Sequence, residues 1–129
     1  MNWSVCPRMD LSKTTFFRSS FELRRTLLSP SNTKPTAVTK EIYDAIKPGG
    51  VFIVLDHAAA PGADVVPTAN TLHRIDPASV RKTVEAAGFK YEGESKVLAN
   101  PADDHTKGVF DPALRGHTDQ FIYKFRKPK

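Results

Sequence analysis

The chain has 129 residues, 40% hydrophobic and 26% charged, and its 19 basic and 14 acidic side chains give a formal net charge of +5. That length suits one domain with a modest core, and the single cysteine, Cys6, excludes an intrachain disulfide and argues against a cysteine-based zinc site. No apolar run approaches the roughly 18 residues that cross a bilayer, and residues 1–10 lack the apolar centre of a secretory signal, so a soluble protein in a reducing cytosol, with no membrane contact, is expected.

The charge is uneven along the chain. Residues 1–39 carry Arg8, Lys13, Arg18, Arg24, Arg25 and Lys34 against Asp10 and Glu22, whereas residues 40–129 hold 13 basic and 12 acidic side chains. The second part is therefore almost neutral and offers no basic face for nucleic acid. Any such binding would have to come from the N-terminal segment. That segment is rich in Ser and Thr and ends in Ser29-Pro30-Ser31-Asn32-Thr33-Lys34-Pro35, so residues 1–35 read as a basic extension of low order and residues 36–129 as the domain. Within the extension, Phe17, Phe21, Arg24 and Leu28 follow helical spacing and predict one short amphipathic helix. Arg and Ser enrichment with few acids also resembles an organelle transit peptide. The alternative is a plain extension of a cytoplasmic protein.

From Thr36 the signals become regular. Val38, Ile42, Ala45 and Ile46 share one helical face. Pro48 ends that helix by biasing Lys47 away from αR, and Pro48-Gly49 suits the centre of a type II turn. Val51 to Leu55 is apolar without alternation, which predicts a strand covered by helices on both faces. Asp56 and His57 finish it. A loop with Pro61, Gly62 and Pro67 follows, and then a helix start in which Asp76 caps, Pro77 takes the first position and Ile75 staples to Val80. Gly88 is placed for a left-handed C-cap.

Phe89, Tyr91 and Gly93 alternate with Lys90, Glu92 and Glu94, and Phe121, Tyr123 and Phe125 repeat the pattern, giving two strands with one solvated face each. The aromatic residues, Tyr43 among them, read as core or sheet-face groups rather than a base-stacking platform. More than twenty residues separate these strands, with the signals of a single helical turn in Asp111-Pro112-Ala113-Leu114-Arg115-Gly116. The order is helix, strand, helix, strand, long loop, strand, which is an α/β arrangement.

In open α/β sheets ligands sit at the carboxyl ends of strands, so Asp56 and His57 are the candidate catalytic residues. His73, Arg74, Asp103, Asp104 and His105 are the candidate substrate-binding residues, the last three as a lid over a pocket. All four histidines, His57, His73, His105 and His117, lie in this region with Asp56, Asp76, Asp103, Asp104 and Asp119 near them in sequence. Such a set can act as general base or metal ligand, or its aspartates can simply cap helices and brace loops. No spacing matches a known metal-ligand motif, so no metal is assigned.

Several stretches together resemble one family. Ala45-Ile46-Lys47-Pro48-Gly49-Gly50, Leu55-Asp56-His57, Thr71-Leu72-His73-Arg74-Ile75-Asp76-Pro77, Val84-Glu85-Ala86-Ala87-Gly88-Phe89, Asn100-Pro101-Ala102-Asp103-Asp104, Phe110-Asp111-Pro112, and Arg115-Gly116 to Thr118-Asp119-Gln120-Phe121 resemble the C-terminal half of a class I S-adenosylmethionine-dependent methyltransferase. The likeness is to a group of predicted bacterial methyltransferases of unknown substrate. It implies that residues 51–56 form the fifth strand of a Rossmann-like sheet and residues 119–126 an antiparallel last strand. It also implies methyl transfer from S-adenosylmethionine to an unknown small-molecule acceptor in complete relatives.

The departure from the family is equally specific. Members bind the cofactor through a Gly-rich loop and an acidic strand end in the N-terminal half, yet no Gly precedes Gly49 here. Without a glycine turn the backbone cannot approach the cofactor closely, so no residue is assigned to cofactor binding. The chain reads as a truncated member, inactive alone. Its fifth strand would then lack a neighbour, and the open edge suggests an alternative role as an interaction module that pairs with a partner or a copy of itself.

Overall fold

The computed structural model describes residues 14–18 and 35–129. Its elements are β1 (Thr14–Arg18), α1 (Pro35–Ala45), β2 (Val51–His57), α2 (Val65–Leu72), α3 (Pro77–Ala86), β3 (Lys90–Ser95) and β4 (Gln120–Arg126). The strands form one sheet in the order β1-β2-β4-β3, with β1 parallel to β2 and β4 antiparallel to both of its neighbours. This is the α/β, Rossmann-like arrangement with an antiparallel last strand that the sequence predicts.

The N-terminal side of that arrangement differs from expectation. Thr14 pairs with Val51 and Arg18 with Leu55, so β2 has a neighbour and is not an open edge. Two β-branched residues and two aromatics, Thr14-Thr15-Phe16-Phe17, suit a strand better than a helix. Phe17 therefore belongs to β1, and the other members of the expected amphipathic helix, Phe21, Arg24 and Leu28, lie outside the described residues. The transit-peptide reading falls largely on the same undescribed residues.

The joint between α1 and β2 follows the local chemistry. The Gly50 N–H donates to the Lys47 carbonyl at 2.8 Å and Gly49 has φ +80°, the second central position of a type II turn. A Cβ on Gly50 would fall 2.5 Å from Ile46 Cγ2 and 2.9 Å from the Lys47 carbonyl, so the chain passes there only as glycine. Lys127 Nζ donates to the Tyr43 and Ile46 carbonyls, each at 2.7 Å, satisfying the exposed end of α1. On α1 the buried face is Thr39, Ile42, Tyr43 and Ile46, whereas Ala45 points to solvent, one step away from the expected stripe.

The core lies on one face of the sheet. Phe52, Val54, Phe121 and Phe125 pack with Ile46, Ile75, Val80, Val84, Ala87 and Phe89 in one buried cluster. Phe52 stacks at 5.0 Å from Phe89, whose ring meets Tyr43 edge-on at 4.9 Å, so α1, α3 and the strands close around aromatic contacts. Residues of β2 on the other face, Val51, Ile53 and Leu55, stay half-buried. The expected cover of helices on both faces is thus replaced, for α1 and α3, by helices on one face.

The third helix forms as predicted. The Asp76 carboxylate accepts from the Ala78 N–H at 3.1 Å, Pro77 opens the helix, and Gly88 follows it at φ +110°. The stretch expected as loop between residues 58 and 74 contains α2 instead. Pro67 sits in its first turn, where a missing N–H costs nothing.

Candidate functional site

The carboxyl end of β2 is where the chain gathers its polar groups. Side chains alternate along a strand, and Asp56 accordingly sits with Phe52 and Val54 on the core face, fully buried, while His57 leaves the opposite face half-buried. The two residues expected to act together therefore point apart. One Asp56 oxygen accepts from the His57 N–H at 2.7 Å. The His57 Nδ1 lies 2.8 Å from the hydroxyl of Thr118, a buried residue just ahead of β4.

Two segments are strapped onto this strand end. The Ile75 N–H donates to the His57 carbonyl at 3.0 Å and the Ala59 N–H to the Ile75 carbonyl at 2.9 Å, a short parallel bridge that draws residues 73–76 alongside. The Ala58 N–H donates to the Asp119 carbonyl at 2.9 Å and fastens the end of the long loop. Arg74 is consequently carried into the interior.

Its guanidinium is fully buried and every part of it is used. Nε donates to the Lys107 carbonyl at 2.8 Å, Nη1 to the Ala58 carbonyl at 2.9 Å, and the fork grips both oxygens of the equally buried Asp103 at 2.8 and 3.1 Å. Asp103 also accepts from the N–H groups of Asp119 at 2.7 Å and His105 at 3.0 Å. Burial, the largest influence on this carboxyl, pushes its pKa up. The Asp119 N–H, the Arg74 guanidinium and the His105 N–H together outweigh that and hold it below the usual carboxylate range. Arg74 and Asp103 thus form a clamp inside the protein that shapes the loop, rather than groups displayed to a ligand.

His105 and Asp119 lie at the edge of the clamp, each about one-fifth exposed, with Nε2 and Oδ2 2.8 Å apart. The other Asp119 oxygen accepts from the Asn100 N–H at 2.8 Å. Asp104 turns outward, where its carboxylate accepts from the Thr106 N–H and hydroxyl, which lower its pKa. It takes no part in the cluster. His73 caps α2 in the left-handed region at φ +55°, and its ring meets the exposed ring of Phe110 edge-on at 5.1 Å. Among the described residues no group of three His, Cys, Asp or Glu is placed to hold a metal ion.

Of the seven predicted site residues, five (Asp56, His57, Arg74, Asp103 and His105) converge at this strand end, and His73 and Asp104 stand outside the bonded cluster. Thr118 and Asp119 are not among those seven, although Asp119 belongs to the wider His and carboxylate set. Their signal was present, since Thr118-Asp119 lies immediately before the alternating strand and therefore opposite the end of its antiparallel partner.

No family model matches the sequence, and no curated protein matches it. Among solved structures, the [4+2]-cyclase SpnF matches with a TM-score of 0.55 and 19% sequence identity, over 95% of this chain and 52% of that one. The chain spans about half the length of SpnF. At that identity the likeness concerns the fold alone, and the conclusion it supports is that this chain has part of a Rossmann-like, methyltransferase-like α/β fold.

Proposed function

We propose that the chain supplies the acceptor side of a methyltransferase-like fold, the wall at the carboxyl end of β2 against which a small molecule is held. The observation that carries this reading is the gathering of His57, Thr118, His105 and Asp119 at that strand end, the position at which open α/β sheets take ligands. His57 and His105 would contact the acceptor, with His73 and the exposed Phe110 at its margin. Arg74 and Asp103 would hold the loop that carries His105 and Thr118.

The cofactor half is a different matter. The residues present do not fit S-adenosylmethionine as the resembled family holds it, because no glycine precedes Gly49 and no Gly-rich loop can therefore follow a strand ahead of β2. Methyl transfer by this chain alone is therefore not part of the proposal. Its acceptor side is testable with catechol as a probe for small hydroxylated acceptors. In a two-dimensional NMR titration of the full chain, the amides of Ala58, Ala59, His105 and Phe110 should shift, and those of α1 and β3 should not. Shifts scattered over the surface, or confined to α1 and β3, would overturn the reading.

A further inference from the structure

His105 is held in a backbone conformation that few residues other than glycine adopt, at φ +63°. Among the described residues only His73 shares this property without being glycine. Strained backbone of this kind persists where surrounding contacts over-determine it, and it collects at functional sites. Here the contacts are explicit. The His105 N–H is held by Asp103, and its ring by Asp119.

Asp119 is itself fixed at every polar atom. Its N–H donates to Asp103, its carbonyl accepts from Ala58, and Oδ1 accepts from the Asn100 N–H, leaving Oδ2 aimed at His105 Nε2. A carboxylate cannot donate when ionised. The proton between the two therefore belongs to Nε2, and the lone pair of a neutral ring lies on Nδ1, which makes no hydrogen bond with any described residue. Asp103, which accepts from the N–H groups of both residues, is ion-paired to Arg74 in the interior. The imidazole of His57 is anchored on Thr118, the residue just before Asp119.

We propose that His105 and Asp119 form a proton-transfer dyad facing the carboxyl end of β2. Asp119 fixes the tautomer, and Nδ1 takes a proton from a small molecule carrying an acidified C–H or O–H. In the step the X–H bond breaks, its electron pair stays on X, an Nδ1–H bond forms, and the imidazolium produced faces the Asp119 carboxylate until water removes the proton. No co-reactant is needed. This deepens the acceptor-side reading and rests on it.

Two measurements on the full chain test it. At about pH 8, where an ordinary imidazole is neutral, nitrogen-detected NMR of histidine-labelled protein should show His105 as a single Nε2–H tautomer, lost in Asp119→Asn. With 5-nitrobenzisoxazole, whose base-promoted ring opening reports proton removal from carbon, kcat/KM should fall at least about tenfold in His105→Asn and in Asp119→Asn and stay unchanged in His117→Asn. Asparagine tolerates the left-handed region, so His105→Asn keeps the backbone. An Nδ1–H tautomer, a doubly protonated ring at that pH, or an unchanged rate in His105→Asn would overturn the dyad. Failure of the catechol titration with the tautomer and rates as predicted would instead count against the acceptor wall alone.

Discussion

Replacing Asp103 by alanine should lower the unfolding free energy by about 3–5 kcal/mol, read as a shift of the urea midpoint at constant slope. The cost arises because Arg74 remains behind. Its guanidinium is fully buried and cannot lose its charge, so removing the carboxylate leaves an uncompensated cation in the interior. The N–H groups of Asp119 and His105 lose their acceptor in the same change. Asp104→Ala, at the next residue, removes only exposed bonds to Thr106 and should leave the urea midpoint nearly unchanged.

The same carboxyl sets a pH dependence. Its pKa in the folded protein is lowered from the usual value, whereas in the unfolded chain it returns to about 3.9. The stability it contributes is therefore complete above the unfolded value and is lost as the pH falls through the folded one. Below about pH 4 the wild-type stability curve should accordingly fall more steeply than that of Asp103→Ala.

Phe52→Ala should cost about 3–5 kcal/mol by the same measurement. Phe52 is completely buried, sits 5.0 Å from Phe89 and 6.3 Å from Phe125, and pairs directly across the ladder with Phe125. The strands on either side are held by ladder bonds and cannot collapse into the vacated volume, so the cavity persists. Phe52→Leu keeps most of that volume and should cost less than half as much. Val66→Ala, at a half-exposed position of α2, should change stability by under about 0.5 kcal/mol.

What could be read from the sequence was what depends on neighbours in the chain. The turn at Lys47-Pro48-Gly49-Gly50, the Asp76-Pro77 helix start and the left-handed Gly88 are each dictated by backbone chemistry within a few residues. β1 was missed because its identity depends on pairing with a strand 37 residues further on, while Phe17 and Phe21 offered a competing helical spacing. α2 is hidden in the sequence because Pro67 is a loop signal as much as a first-turn residue, and only the structure places it in a first turn. The opposite orientations of Asp56 and His57 followed from the period of a strand and needed no structure. The clamp did need one, because Arg74 and Asp103 are 29 residues apart and meet only through the folding of the long loop.

We propose that the chain carries the acceptor wall and not the cofactor cradle of a methyltransferase-like fold. That division is the central claim. In a calorimetric titration with S-adenosylmethionine the 129-residue chain should bind no tighter than about 1 mM, whereas saturable binding in the micromolar range would show a cofactor site in this chain.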